Sequence, residues 1–285
     1  MAAIDDVFAG LARGQVIPYL GPGVLAATPG SEALPGTPAQ LVQRLTAKAS
    51  VPHKVRNNLT AAAQFIENFK HRKTVMTLMT EAFAPEAAPG ALHRYLAALP
   101  ELPLIVATWY DDLLRQALRA RPGEATWGQV QGVSQAEHFG TWVHYFQADG
   151  APVTEADAQH WSTVLYQPLG AIAPAKNFLV SDSDYVEVLT EIDIQTPIPP
   201  VVQRRRRGRH FLFLGCRFAN QLDRLFARQI MKRSSDKHFA LLEGELTRNE
   251  ARFLAEQNIQ RIDMSLAEFL EHAGQGGALP LAAAV

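Results

Sequence analysis

The chain carries a single cysteine, Cys216, among its 285 residues. A lone cysteine forms no internal disulfide, and it excludes a cysteine-rich zinc module. The expected compartment of such a chain is the cytoplasm. The nine histidines show neither H-x-x-x-H nor H-E-x-x-H spacing, so no metal is expected. Long apolar runs are missing too. None reaches the ~18 residues of a membrane span, and residues 1–6 are acidic, without the basic start of a signal peptide. Nor does charge of one sign prevail. Lys+Arg number 27 against 28 Asp+Glu, a net charge of -1, which gives no overall pull toward nucleic acid or an anionic membrane.

What is present is ordinary globular material, 47% hydrophobic with a mean hydropathy of -0.06. Its length suits one large α/β domain or two small ones. The most informative segment is Val16-Ile17-Pro18-Tyr19-Leu20-Gly21-Pro22-Gly23-Val24-Leu25-Ala26. A short apolar run ends abruptly at Gly-Pro-Gly, and an Ala-rich stretch follows. A strand that turns through glycines can expose backbone N–H groups to a pyrophosphate, with no Cβ in the way. The segment reads as G-x-G-x-x-A, a variant of the dinucleotide fingerprint. The ribose-binding acid about 20 residues downstream is absent, since no Asp occurs between Asp6 and Asp111 and Glu32 comes too early. An ordinary dehydrogenase site is therefore excluded, and a plain strand-to-loop turn stays open beside a phosphate loop.

Periodicity predicts helices over 3–14, from 38, over 55–83 and over 90–99, so that 37–99 reads as a helical insertion after the first strand. Residues 104–108 predict a buried strand followed by a helix. Residues 121–140 show no clear period. Weaker strands are predicted at 143–146, 164–166 and 178–180, stronger ones at 211–214, 239–242 and 260–263. Helices are predicted after 215, over 247–257 and over 265–272, with 273–285 as a loose tail. Short strands apolar on both faces, alternating with helices, predict an α/β fold: a Rossmann-like, mostly parallel sheet covered by helices, in one domain over 1–272. Ligands bind beyond the carboxyl ends of such strands. Three ends then converge, at 21–25, 108–111 and 215–217.

The order of four blocks resembles the sirtuin-like domain family, bacterial relatives of sirtuins. Residues 17–25 look like the family's Gly-Ala-Gly-hydrophobe-Ser loop, and 105–111 like its Thr-Thr-Asn-Tyr-Asp segment. Residues 166–172, with Ser183-Asp184-Tyr185, look like its His-Gly segment and following Asp-Tyr. Residues 213–220 look like its late strand–Gly–Tyr-Ser–Asp segment. The resemblance implies NAD or ADP-ribose as ligand. It implies contacts from Gly21, Pro22, Gly23, Val24, Thr108, Asp111, Gly215, Cys216 and Arg217. The family's Asn, which fixes the ribose and positions water, falls at Trp109, and its catalytic His falls at Leu169. The loop Ser is Leu25 and the late Asp is Asn220. Trp and Leu neither take a proton nor orient a water, so no catalytic residue is assigned. A zinc-dependent deacylase, which needs four cysteines, is excluded.

The expectation is a sensor or adaptor that binds NAD or ADP-ribose without cleaving it. The rival is an NAD glycohydrolase with a displaced base, for which His93, His144 and His160 are the candidates by proximity. Asp111 fits a ribose contact or a helix N-terminal acid equally. Cys216 fits a buried small hydrophobe better than a nucleophile. Arg217 suits a phosphate or a structural salt bridge. A third reading rests on Arg204, Arg205, Arg206, Arg207 and Arg209, a run that suits either a polyanion or a solvated loop. The balanced total charge favours the loop and argues against nucleic acid. A protein partner or a second copy stays open.

Overall fold

The computed structural model describes residues 2–122, 126–194 and 198–275. Its strands are β1 (Val16–Leu20), β2 (Leu104–Ala107), β3 (Trp127–Gly132), β4 (Val143–Gln147), β5 (Pro152–Val153), β6 (Thr163–Gln167), β7 (Gly170–Ala171), β8 (Asn177–Phe178), β9 (His210–Leu214), β10 (His238–Leu241) and β11 (Ile259–Ile262). The main sheet runs β11-β10-β9-β1-β2-β6-β3-β4-β5. Every pairing from β11 to β3 is parallel, and β4 and β5 add an antiparallel edge. β1 lies at the centre although Pro18 has no N–H to give. Its full ladder is with β9, and pairing with β2 starts only at Tyr19. The expected fold class is thus the observed one.

Helices cover both faces. They are α1 (Ala2–Ala12), α2 (Gly23–Ala26), α3 (Pro38–Lys48), α4 (Leu59–Lys70), α5 (Arg72–Ala82), α6 (Ala91–Ala98), α7 (Leu113–Arg119), α8 (Asp182–Ile194), α9 (Pro200–Arg206), α10 (Gln221–Met231), α11 (Arg248–Glu256) and α12 (Leu266–Gln275). Alternation along the strands divides the core in two. Ile17, Tyr19, Leu104, Val106, Phe211 and Phe213 face α3, α4, α5, α9 and α10 through Leu41, Ile66, Met79, Val202 and Phe226. Val16, Leu20, Ile105, Leu212 and Leu214 face α1, α6, α7 and α12 through Val7, Leu96, Leu118 and Phe269. Each such fully buried side chain contributes about 1.5–3 kcal/mol.

Local chemistry sets the helix ends around the site. Thr37 caps α3, its Oγ1 accepting from Gln40 N at 3.1 Å, with Pro38 as the first helical residue. Asn58 Oδ1 caps α4 by accepting from Ala61 N at 3.1 Å. The predicted helix over 55–83 is two helices, broken where His71 takes φ 69°. At the other end α12 runs to Gln275 and buries Ala273, so ordered structure passes the expected boundary at 272. Residues 276–285 of the expected tail lie outside the described residues. The predicted strand at 178–180 shrinks to β8, which pairs antiparallel with β7 in a separate ribbon.

The arginine run is neither a solvated loop nor an open basic patch. Residues 200–206 form α9, and three arginines turn back onto backbone carbonyls. Arg205 donates to Pro103 O at 2.9 Å, to Ser162 O at 2.7 Å and to Trp161 O. Arg206, 4% exposed, donates to Gln229 O and Ile230 O at the end of α10. Arg209 donates to Gly14 O and Arg205 O. Only Arg204 and Arg207 of the five are exposed. Arg206→Gln is therefore expected to cost about 2–3 kcal/mol in urea unfolding, because it abandons buried helix-end carbonyls. Arg204→Gln with Arg207→Gln is expected to stay within about 0.5 kcal/mol of wild type.

Candidate functional site

The carboxyl ends of β1, β2 and β9 are stitched together by short backbone contacts. Gly21 N donates to Leu214 O at 2.9 Å, Gly23 N to Gly215 O at 2.9 Å and Thr108 N to Leu20 O at 2.8 Å. Thr108 Oγ1 adds a bond to Leu20 O at 3.0 Å. Gly215 sits at φ 62°, a left-handed turn that suits glycine. Over these three ends opens a cleft of about 620 Å³, within the usual range for small-molecule sites. Gly36, Thr37, Asn58 and Thr60 of the helical insertion form one wall. Asp182 and Tyr185 of α8 and Asn220 and Asp223 at the start of α10 form another.

Seven of the nine expected contact residues line this cleft: Gly21, Pro22, Gly23, Thr108, Gly215, Cys216 and Arg217. Val24 does not; it is 4% exposed and belongs to the core on the far face of the sheet. Asp111 does not either. It lines a separate cavity of about 480 Å³ with Thr80, Phe83 and Lys176. Its Oδ1 accepts from Leu113 N at 3.1 Å, the helix N-terminal role rather than a ribose contact, and burial pushes its carboxyl up to about 6.

The glycines are needed for a reason other than phosphate. A Cβ on Gly21 would lie 2.6 Å from Gly215 O, and one on Gly23 would lie 2.7 Å from the same oxygen. Their N–H groups already serve strand β9 and its turn. Val24 N donates to Gly21 O at 3.2 Å, and Pro22 has no N–H. Gly23→Ala is thus expected to destabilise the ligand-free protein by about 1–3 kcal/mol through overpacking, measured by denaturant titration without any nucleotide.

Arg217 is likewise engaged. Its Nε and Nη2 meet both oxygens of the fully buried Glu250 at 2.8 and 3.0 Å, and its other donors reach Glu243 O and Glu245 O. Cys216 is 7% exposed, and its Sγ lies against Tyr19 O and Leu214 O. Burial pushes the thiol up, so little thiolate exists at neutral pH. Burial, with Cys216 and Asp223 close by, also raises the Tyr19 phenol well above its ordinary value.

Trp109 and Leu169, the positions the resemblance sets against the family's Asn and His, also reach the cleft. Trp109 is 6% exposed, and its Nε1 donates to Pro35 O at 2.8 Å. Leu169 is 7% exposed and lines the cleft as well. None of the three candidate histidines is there. His93 is buried in α6, where its Nδ1 accepts from Gly90 N at 3.1 Å. His144 lies in β4 against His138, and His160 is exposed at the end of a short 3-10 turn.

Burial and the neighbouring Arg94 lower His93 to about 4. The unfolded chain, with an ordinary value near 6.5, therefore takes the proton first. The stability this gives is whole above pH 6.5 and is lost as pH falls toward 4. It is worth about 3 kcal/mol. Urea unfolding at pH 7 and pH 4.5 is expected to show a larger acid loss for wild type than for His93→Gln, which can keep the same cap.

Two carboxylates that the sequence reading passed over also face the cleft. Asp182 Oδ1 accepts from Thr60 Oγ1 at 2.5 Å, tying α8 to the insertion. Asp223 N donates to Asn220 Oδ1 at 2.8 Å, and Asn220 Nδ2 donates back to Asp223 Oδ2 at 2.5 Å. The Asp223 carboxyl is exposed in the cleft mouth, yet desolvation by the surrounding walls pushes it up to about 6, against the pull of Arg224 and Asn220. The sequence marks Asp223 only as an acid at a helix start, three residues after the capping Asn220.

Residues 103–262 match the model of the SIR2-like domain family, more than half of the chain. The chain therefore belongs to the SIR2-like domain family. None of the curated proteins matches it. The match leaves out β1, its glycine turn and α3 to α6, although these build the floor and one wall of the cleft. Among the described residues no cluster of metal-ligating side chains occurs, and no helix is long and apolar enough to cross a membrane.

SIR2-like proteins generally bind NAD, and the cleft fits part of that molecule. Its volume, its aromatic lining at Tyr19, Trp109 and Phe218, and its hydroxyl acceptor at Asp223 suit a base and a ribose. They do not suit the pyrophosphate. The glycine-turn N–H groups are bonded within the protein, and the one cation among the described lining residues, Arg217, is paired to Glu250.

Proposed function

We propose that this SIR2-like chain is a binding protein, a sensor or adaptor, that holds NAD or a part of it without breaking the bond between nicotinamide and ribose. The observation that carries this reading is the cleft wall itself. Trp109 and Leu169, which the resemblance sets against the family's water-positioning Asn and basic His, line it, and no histidine is among the described residues lining the cleft. The site therefore retains a shaped, partly apolar cavity and lacks the usual proton acceptor. The deciding experiment pairs an assay for released nicotinamide with thermal denaturation in NAD, ADP-ribose and their nucleosides. Binding to the folded state alone stabilises it by mass action, by about 2.7 kcal/mol at a hundredfold excess over Kd, and so raises the melting temperature. Stabilisation without release supports the reading, whereas turnover overturns it.

One observation favours a second reading, a glycohydrolase with a carboxylate base. Asp223 lines the cleft, and desolvation by the surrounding walls pushes its carboxyl up to about 6, toward the range in which a carboxyl works as a base. Should the wild type release nicotinamide, loss of that activity in Asp223→Asn with unchanged melting would assign the role.

A further inference from the structure

We infer that the cleft is built for a ribonucleoside, neutral or cationic, and discriminates against the phosphorylated forms of the same ligand. This inference rests on the binding reading above and deepens it by naming the chemical class.

A phosphate is held by free N–H groups, by helix N-termini and by cations. Each of the three is already used at this site. At the glycine turn, Gly21 N, Gly23 N and Val24 N donate to Leu214 O, Gly215 O and Gly21 O. The N-termini of α3, α4, α8 and α10 reach the cleft; at the first two the side chains of Thr37 and Asn58 already accept from Gln40 N and Ala61 N, and the last two carry their own carboxylates in the first turn, Asp182 and Asp223. At α10 the Asn220 side chain also takes the Asp223 N–H. The one cation, Arg217, has its charge met by Glu250 at 2.8 and 3.0 Å. A pyrophosphate entering here would meet two carboxylates with no uncommitted positive group among the described lining residues, which opposes binding.

The same atoms favour the unphosphorylated ligand. Ribose hydroxyls are donors, and Asp223 is an exposed acceptor at the cleft mouth. Tyr19, Trp109 and Phe218, each largely buried, give the cleft an apolar boundary against which a base can lie. A pyridinium base adds a positive charge, which the carboxylates attract.

Isothermal titration of the full chain with nicotinamide riboside, adenosine, NAD and ADP-ribose tests this. The expected result is that the nucleosides bind about tenfold or more tightly than the phosphorylated ligands at pH 8. Asp223→Asn, isosteric and able to keep the contact with Asn220, is expected to weaken the riboside and strengthen NAD, closing the gap. Its melting temperature verifies the fold. Equal or tighter binding of NAD or ADP-ribose overturns the inference and leaves the binding reading standing. A gap unchanged by Asp223→Asn overturns it too, because the carboxylate then does not discriminate. Binding of none of the four ligands overturns both.

Discussion

Wild-type protein incubated with millimolar NAD or nicotinamide riboside is expected to release nicotinamide no faster than buffer. Breaking the glycosidic bond builds positive charge on the ribose. It requires a base at a hydroxyl and a water held in place. Trp109 offers only an N–H donor, and Pro35 O already takes it at 2.8 Å. Leu169 offers nothing to a proton. Replacing both, Trp109→Asn with Leu169→His, is expected to raise release from riboside about a hundredfold above wild type, the lower range of general-base catalysis. Either replacement alone should do little, because paired catalytic groups act as a unit. Removing an indole packed edge-on to Phe83 at 6.0 Å costs about 3–5 kcal/mol. Melting curves of the double variant and of Leu169→His alone therefore accompany the assay. A folded double variant with no activity would show that these two backbone positions do not present their side chains to the ribose. Robust wild-type turnover would end the non-cleaving reading.

The second large effect concerns how the helical insertion is held to α8 and the β7–β8 ribbon. Arg72 opens α5 and reaches Asp184 at 2.8 Å, Glu67 at 3.2 Å, Glu137 at 3.4 Å and the carbonyl of Phe178. Asp184 is nearly inaccessible and accepts from Val180 N, Ser181 N and Ser134 Oγ as well. Asp184→Ala leaves a largely buried guanidinium and two backbone donors short of their acceptor. A loss of about 3–5 kcal/mol is expected in denaturant unfolding. Arg72→Ala is expected to cost nearly as much. The double variant should lose less than the sum, since removing both charges strands neither. Strict additivity would mean that the two side chains do not communicate.

The parallel sheet was legible in the sequence because its strands are apolar on both faces, as 104–107 and 211–214 show. β3 was not, for a physical reason. Its sequence, Trp-Gly-Gln-Val-Gln-Gly, is buried throughout, and apolar periodicity cannot reveal buried glutamines. Gln129 donates to Gln167 Oε1 and Ala173 O, and Gln131 donates to Ala171 O and Ala175 O. They act as local backbone partners for the 171–175 segment. The arginine run misled in the same way, because its targets are carbonyls distant in sequence. At the site, the convergence of three strand ends was legible, while Asp223 and Asp182 were not. Their place in the cleft comes from how α8 and α10 cross above the sheet, which no local pattern encodes. Asp111 was misplaced because one strand end offers two sides, and sequence order does not say which side a residue takes after the turn.

The seam between Gly21, Gly23 and Gly215 also bears on how such chains change over generations. A side chain at 21 or 23 runs into the neighbouring backbone, and at 215 into Gly23 and Val24. No single substitution there is cheap, and relief would take several coordinated changes. Positions 109 and 169 are under no such constraint, since Trp109 and Leu169 are accommodated there with their burial intact. Side chains at 109 and 169 can thus vary while the glycines persist, preserved by folding alone. A glycine fingerprint in a descendant of a nucleotide-binding fold is for that reason a record of ancestry and packing, and it can outlast the phosphate it once accompanied.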